Sequence, residues 1–217
     1  MASILKVDKI RVSGGDSDSI SFDNSGNITF NKTASGAGLN NVLLANNTTG
    51  GTGLTEIAFD LSMDTSYLYQ LFIIEEVYSA AVADLYLRSR RASDNSYFTG
   101  SNSYAWAYKY TSSSGTGGSG SQGATYARIC GHPPGNVASE SSTWRIHVFN
   151  NAASGTGRYT RFFWDRVGYE GGTPKLIQEE GGIIELATTT TNQFKIYGGN
   201  GDSVSFSGYV HYGVKRA

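Results

Sequence analysis

Short segments in which apolar and polar residues alternate recur along this chain, and clusters of Gly, Asn and Ser separate them. Alternation with a period of two places the apolar side chains on one face of a β-strand, and the intervening residue types are typical of turns. No segment shows a helical period with capping residues at its ends. The pattern therefore predicts an all-β protein with antiparallel sheets and argues against strand–helix–strand units.

The predicted strands suffice for one sandwich or barrel. They cover residues 41–46, 55–61, 67–78, 84–91, 104–110, 124–130, 144–150, 159–167, 183–187, 193–197 and 203–214. The alternation aligns Trp144, Ile146 and Val148 on one face of their strand, and it aligns Leu85 with Leu87. A chain of 217 residues has room for one sizeable β domain with an appendage, or for two small domains. We predict a jelly-roll-like antiparallel β-sandwich preceded by a short β-rich N-terminal attachment segment.

Two stretches of small residues interrupt the strand pattern. The first, at residues 33–38, has the composition of a flexible linker, so we predict a domain boundary there. An N-terminal attachment and trimerisation segment then spans residues 1–38, and a sandwich head domain spans residues 39–217. The second stretch, at residues 111–123, lies between two predicted strands, and we predict that it is a long exposed loop.

The N-terminal segment contains a hairpin pattern whose apolar residues need a partner. Ile20 and Phe22 precede an Asn-Ser-Gly turn, and Ile28 and Phe30 follow it. Because an isolated hairpin is marginal in water, these side chains are expected to pack against other chains. The predicted assembly contacts are Ile4, Leu5, Val7, Ile10, Ile20, Phe22, Ile28 and Phe30. Wrapping about a three-fold axis would give a homotrimer, and a monomer with a disordered N-terminus is the alternative.

Charge and cysteine content limit the partners and the compartment. The formal net charge is −1 and no long basic stripe exists, which argues against nucleic acid as a partner. No apolar run approaches the roughly 20 residues of a membrane helix, so we predict no membrane insertion, and we find no signal peptide. Cys130 is the only cysteine, so we expect no intrachain disulfide and a half-buried strand residue at that position. Synthesis in a cytoplasm is expected.

Several short motifs are typical of enzymes, but the residues around them do not support an enzymatic site. Residues 115–120 match the GxGxxG pattern, but a strand pattern follows them instead of a helix that could hold a pyrophosphate. The adjacent glutamates at 75–76 and at 179–180 point to opposite faces of a strand, which separates the members of each pair. We predict no catalytic residue and no cofactor. A carbohydrate-active enzyme is the remote alternative, and it would need two carboxylates facing one cleft.

The histidines do not form a recognisable metal site. His132, His147 and His211 are the only imidazoles, and no two of them have the close spacing of a metal-binding pair. His147 and His211 are predicted on strand faces away from the core, and His132 lies in a turn before two prolines. We predict no metal, with an ion shared at a trimer axis as the alternative.

Aromatic residues supply the one feature with binding potential. Tyr97 lies in a Ser/Asn-rich turn, and Tyr104, Trp106 and Tyr108 share a strand face at period two. Such rings bind the apolar faces of sugars, so these four residues are the predicted receptor contacts. An aromatic strip also forms ordinary sandwich cores and subunit interfaces, which is the alternative. Arginines at 88, 90 and 91 are expected to form a solvated or inter-subunit charge cluster with nearby acids.

Specific stretches of the chain resemble structural proteins of tailed phages. The opening SILKVDKIR and ISFDNSGNITFNK resemble the N-terminal segments of such proteins, especially from phages of marine bacteria and cyanobacteria. The remainder resembles a phage tail-fibre or virion jelly-roll module. The segments that carry this second likeness are NNVLLANNTTGGTGLTEIAFDL, YLYQLFIIEEVYSAAVADLYLRSR, YFTGSNSYAWAYKY, WRIHVFNNAASGTGRYTRFFWD and FSGYVHYGVKRA.

The resemblance implies a non-enzymatic virion component, usually trimeric. The leading hypothesis is a homotrimeric tail-fibre component that is made in the cytoplasm of a bacterial host. Its N-terminus would dock to other virion proteins of the tail or capsid, and its loops would attach to a glycan or protein of the host surface. The alternative is a capsid decoration or head-fibre protein whose N-terminal strands clamp the shell by strand addition.

Overall fold

The computed structural model describes residues 9–11, 18–22, 28–30, 40–152, 159–170 and 175–215. The fold is 64% strand and 4% helix, which confirms the predicted all-β class. The strands are β1 (Lys9–Arg11), β2 (Asp18–Phe22), β3 (Ile28–Phe30), β4 (Asn40–Asn47), β5 (Gly51–Leu54), β6 (Glu56–Asp60), β7 (Tyr67–Ser79), β8 (Leu85–Arg91), β9 (Tyr104–Ser112), β10 (Gly115–Ala124), β11 (Ala127–Arg128), β12 (Ser142–Phe149), β13 (Arg161–Glu170), β14 (Lys175–Glu185), β15 (Thr191–Gly198), β16 (Val204–Phe206) and β17 (Gly208–Lys215). Single 3-10 turns lie at Ala138–Glu140 and Gly199–Gly201.

The chain divides into two units between Asn40 and Asn41, two residues after the predicted boundary at residue 38. The N-terminal unit contains a three-stranded antiparallel sheet in the order β1-β2-β3. Its register places Ile20 opposite both Ile10 and Phe30. Phe22 pairs with Ile28, so the predicted hairpin between β2 and β3 is present. The other predicted assembly contacts, Ile4, Leu5 and Val7, lie outside the described residues.

The second unit is an antiparallel β-sandwich, as predicted. Its large sheet runs in the order β10-β9-β14-β13-β12-β7-β16-β5, with β17 pairing with β7 and β4. Its small sheet runs in the order β11-β8-β15-β6. The two inner faces enclose one apolar core, because every second residue of the central strands points inward.

Aromatic and branched side chains fill this core. Trp144, Ile146 and Val148 are fully buried, so the predicted inner face of β12 is confirmed. From the small sheet, Phe194 lies against Phe72 of the large sheet, with ring centroids 5.0 Å apart. Burial of a large apolar side chain contributes about 1.5–3 kcal/mol, so these contacts hold the two sheets together.

The predicted loop at residues 111–123 is wrong, because most of it belongs to strand β10. This strand pairs with β9 over its whole length, and Gly117 lies opposite Tyr110. Glycine and serine carry the same backbone donors and acceptors as other residues, so a ladder forms without an apolar pattern. A Cβ atom at Gly117 would collide with the Tyr110 ring, so glycine allows that ring to lie across the strand.

Candidate functional site

The aromatic strip of β9 belongs to the core. Tyr104 is fully buried, and its hydroxyl accepts a hydrogen bond from the backbone N–H of Ser89 at 2.9 Å. Tyr108 is 9% exposed, and Trp106 stacks on it with ring centroids 5.8 Å apart. Their strand lies under the small sheet, so its inward positions face the interior. Tyr104 and Tyr108 are therefore core residues, as in the alternative interpretation, and Trp106 is partly buried against the same core.

Tyr97 is the predicted receptor residue that lies near the surface. It is half-buried beside the outer face of the small sheet, and its hydroxyl donates to Gln193 Oε1 at 2.5 Å. The ammonium of Lys195 sits 4.0 Å from the centre of its ring. This cation–π contact and hydrogen bond fix the ring against β15. Tyr97 therefore lies at the outer face of the small sheet.

A cleft of about 410 Å³ opens on that outer face, and we call it the tyrosine–arginine cleft. It is lined by Thr55, Tyr86, Arg88, Tyr126, Tyr197 and the turn at residues 198–201. Strand alternation explains this lining. Leu85 and Leu87 of β8 point into the core, so Tyr86 and Arg88 point outward. Tyr197 of β15 points outward for the same reason.

Three tyrosine rings form one wall of the cleft. The ring of Tyr86 lies 4.3 Å from that of Tyr126 and 5.7 Å from that of Tyr197, measured between centroids. Burial raises the pKa of Tyr197 to about 12, and burial also raises the pKa of Tyr86. Both phenols therefore stay protonated at neutral pH and are able to donate as well as accept hydrogen bonds. The wall offers apolar ring faces together with hydroxyl groups.

The turn between β15 and β16 forms the opposite side of the cleft. Asn200 adopts φ of 57°, in the left-handed region, and Gly201 follows with φ of 82°. A Cβ atom at Gly199 would come within 3.1 Å of the Tyr86 ring. Small residues here thus allow the turn to approach the tyrosines closely. The side of the cleft that they form consists largely of backbone groups.

Arg88 supplies the positive charge of the cleft. Its guanidinium lies over the Tyr197 ring, 5.1 Å from the centroid, and its Nε donates to the carbonyl of Thr125 at 3.3 Å. Within the described ranges, no carboxylate lies within 4 Å of this guanidinium. The charge therefore faces the cleft without compensation from a neighbouring acid.

Neighbouring cations on the small sheet, in contrast, have acidic partners. Lys195 Nζ lies 2.5 Å from Glu56 Oε2, and Arg128 Nη2 lies 2.7 Å from Asp84 Oδ1. Arginines 90 and 91 contact Asp60 and Asp94 at 3.9 and 3.5 Å, as expected for a solvated charge cluster. The predicted cluster of three arginines thus divides into two paired residues and Arg88.

The structure contains two buried polar clusters that the sequence pattern does not predict. Arg166 Nε donates to Glu179 Oε2 at 2.5 Å, and both side chains are fully buried. Glu179 also accepts the backbone N–H of Gly131 at 2.9 Å. The adjacent Glu180 points outward to Lys109, so the prediction of opposite faces is confirmed for this pair. It is wrong for Glu75 and Glu76, which are both exposed at an irregularity in the pairing of β7 with β12. Charged residues give no sequence signal of burial, and only the pairing of β13 with β14 brings this ion pair together.

The second cluster links the two sheets. Glu185 of the large sheet accepts hydrogen bonds from the hydroxyls of Ser89, at 2.5 Å, and Thr191, at 3.0 Å. Burial raises the pKa of Glu185 to about 7. The carboxyl group lies inside the sandwich and is fully buried, so it has a structural position rather than one in a cleft.

Two single-residue predictions need correction. His211 is 3% exposed and points into the core, where it stacks on Phe72 and hydrogen-bonds Gln70 Oε1 at 2.9 Å. Its predicted outward face is therefore wrong. Cys130 is fully buried rather than half-buried, and burial raises its pKa to about 12. His147 lies on the outer face of its sheet, as predicted. The described part of the chain contains no group of three His, Cys, Asp or Glu residues able to hold a metal.

The outer face of the large sheet differs in character. We call it the apolar face and define it by the exposed side chains of Phe163, Val167, Tyr169, Leu176 and Ile184. A groove of about 680 Å³ lies within it. Small residues at 105, 107 and 182 line the groove between the side chains of residues 149, 163 and 184. Beside the groove, the ion pairs Arg145–Asp165 and Lys109–Glu180 neutralise their own charges.

Comparisons with known proteins give no relative: no protein-family model matches the chain, and no curated protein matches it significantly. Across the described ranges, no helix has the length and apolar character needed to cross a bilayer.

Proposed function

We propose that this chain is a non-enzymatic phage virion protein, a homotrimeric tail-fibre component that binds a glycan of the host surface. The tyrosine–arginine cleft is the observation that carries the binding function. The N-terminal unit would dock to the particle, and the sandwich would display the cleft. The proposal assigns no covalent chemistry to the chain.

The composition of the cleft suits a sugar ring. The rings of Tyr86, Tyr126 and Tyr197 supply an apolar surface for the C–H face of a pyranose. A volume of about 410 Å³ lies within the range of ordinary ligand pockets. Binding at one cleft is expected to be modest, and several copies on one particle would raise the avidity.

The apolar face supports self-association, and we propose a second copy of this chain as its occupant. Its exposed apolar side chains lie on both sides of a row of four charged residues that crosses strands β12, β13, β14 and β9, and exposed apolar surface of this kind marks interaction sites. The charges of that row are paired within the chain, Arg145 with Asp165 and Lys109 with Glu180. In a fibre built from several copies of the chain, the same apolar face of a neighbouring copy is available as the partner.

The small N-terminal sheet favours a second candidate, a capsid decoration or head-fibre protein. β1 and β3 are its edge strands in the described residues, and edge strands accept additional strands from a partner. The two candidates share a docking N-terminus and differ in their position on the particle.

The copy number in purified particles of the virus that encodes the chain separates the candidates. Quantitative mass spectrometry against the major capsid protein is expected to give a small multiple of three for a tail fibre. A number close to that of the capsid protein would establish decoration instead. Absence from the particle would refute the virion proposal.

Binding by the cleft is tested with the full-length chain on an array of bacterial surface glycans. We expect binding that Tyr86→Ala removes while the chain stays folded. Because Tyr86 lies opposite Tyr197 in the sheet, this substitution removes the centre of the ring wall. Binding that survives the substitution would place the glycan elsewhere.

A further inference from the structure

We infer that the tyrosine–arginine cleft selects acidic saccharides, in which a pyranose ring carries a carboxylate or a sulfate, and that Arg88 binds the anionic group. This inference rests on the proposed glycan-binding function and narrows it to a chemical class. Three features of the cleft lead to it: the charge balance, the geometry of the arginine, and the position of the rings.

The charge balance singles out Arg88 among the cations on the outer face of the small sheet. Lys195 and Arg128 each lie within 2.7 Å of a carboxylate oxygen. Arg88 has no such partner in the described residues. The acids nearest the cleft, Glu56 and Asp84, are engaged by Lys195 and Arg128, which reduces their repulsion of an incoming anion.

The geometry of Arg88 leaves its most useful donors for a ligand. Its Nε is occupied by the carbonyl of Thr125 at 3.3 Å, which orients the guanidinium plane. In the described part of the chain, its two terminal nitrogens donate to no acceptor. A guanidinium with free terminal donors matches the two oxygens of a carboxylate or sulfate in a bidentate pair. The Tyr197 ring beneath it restricts its motion and so reduces the entropy lost on binding.

The rings place the sugar next to this charge. The wall of Tyr86, Tyr126 and Tyr197 lies in the same cleft as Arg88, so one pyranose reaches both. A pyranose that carries an acid on one edge would contact the rings with its C–H face and Arg88 with the acid.

The test compares matched oligosaccharides with the full-length chain by isothermal titration calorimetry. The acidic probes are a galacturonic acid hexamer and a sulfated galactan hexamer, and the neutral probe is a galactose hexamer. We expect tighter binding of at least one acidic probe, weakening as salt rises because the contact is ionic. Arg88→Gln is expected to weaken acidic binding by about tenfold or more and to leave neutral binding almost unchanged. The two acidic probes identify which anionic group is preferred.

Arg90→Gln is the matched control, because Arg90 is two residues along the same strand and contacts Asp60 outside the cleft. It should bind like the wild-type chain. Salt dependence of the unsubstituted chain provides a readout that does not depend on the folding of a variant. If all three probes bind equally and Tyr86→Ala removes them all, the acidic selectivity is refuted while the glycan-binding function stands. If no saccharide binds the wild-type chain, the proposed function itself fails, and the inference with it.

Discussion

The two outer faces of the sandwich differ far more than its two inner faces. Both sheets bury Phe, Ile and Leu or Trp in one shared core. Outside, the small sheet presents tyrosines and charged side chains around a cleft, and Arg88 has no acidic partner in the described residues. The large sheet presents exposed Phe163, Val167 and Leu176, and it pairs Arg145 with Asp165 and Lys109 with Glu180. Inner positions thus determine the fold, and the two proposed roles, ligand binding by the small sheet and association between chains by the large sheet, rest on the outer positions.

The large sheet contains a buried ion pair between Arg166 of β13 and Glu179 of β14. Glu179→Ala should lower the free energy of unfolding by about 3–5 kcal/mol, because it leaves the fully buried guanidinium without a partner. Chemical denaturation measures this loss. Glu180→Ala is the control, because Glu180 lies on the outer face and pairs with the exposed Lys109. A loss below about 1 kcal/mol, the size expected of a surface pair, would contradict a structural role for Glu179.

The link between the sheets should respond to pH through Glu185. Its folded pKa is raised to about 7 from 4.5. Stability from this carboxyl is therefore complete below pH 4.5 and is lost as pH rises through 7, because the unfolded state ionises first. The loss is of the order of 3 kcal/mol. Denaturation from pH 4.5 to 8 should show the decline, and Glu185→Gln should remove it.

His211 acts in the opposite direction and serves as the control. Burial lowers its pKa to about 4 from 6.5, so its contribution is complete above pH 6.5 and is lost as pH falls towards 4. As the pH rises from 4 to 6.5, the Glu185→Gln chain should therefore become more stable. Over the same rise in pH, a His211→Gln chain should become less stable. Equal slopes in the two variants would show that these groups do not govern the pH response.

How far sequence predicts this molecule depends on which face a strand buries. β12 is predicted correctly because its apolar residues alternate with exposed polar ones. β17 is harder, because Val210 and Tyr212 on its outer side are as apolar as its inner residues, and this hid the burial of His211. β10 carries almost no apolar residue, and its pairing with β9 has no local signal. Alternation therefore does not predict the buried face of a strand when both of its faces are apolar or when neither face is.

The cleft illustrates a different limit. The alternation of β8 already places Tyr86 and Arg88 away from Leu85 and Leu87. Tyr126 and the turn at residues 198–201 come from distant parts of the chain, and only the pairing of β8 with β15 unites them. The dense aromatic run of β9 was the stronger sequence signal, yet β9 is a central strand and buries it. Local composition therefore predicts an exposed strip where strand pairing buries Tyr104 and Tyr108.

Association through the apolar face is tested by Phe163→Glu. Phe163 is 43% exposed and lies beside the groove, so a carboxylate there would be desolvated if a second copy covered it. We expect the oligomer to dissociate in analytical ultracentrifugation, with glycan binding per chain retained. Val137→Glu, at an exposed apolar residue elsewhere, should leave the oligomer intact. An unchanged oligomer in Phe163→Glu would refute the role of this face.

Deleting residues 1–33 separates the two regions proposed to mediate association. If the shortened chain stays trimeric and Phe163→Glu dissociates it, the apolar face holds the trimer and the N-terminal strands only attach it. If the deletion alone gives monomers, the predicted trimer core of Ile20, Phe22, Ile28 and Phe30 is supported. Size-exclusion chromatography with light scattering distinguishes the two results.

The smallest expected effect is that of removing a single ring from the tyrosine–arginine cleft. Tyr126→Ala removes a ring 4.3 Å from Tyr86, and an aromatic contact of this kind is worth about 0.5–1.5 kcal/mol. Glycan affinity should therefore fall by about two- to twelvefold in calorimetry, with no change in the oligomer. Tyr169→Ala removes a tyrosine that is 40% exposed on the apolar face, and it should leave glycan affinity unchanged. Equal losses in the two variants would mean that glycan contact is not confined to the small sheet, and the division of roles between the faces would not hold.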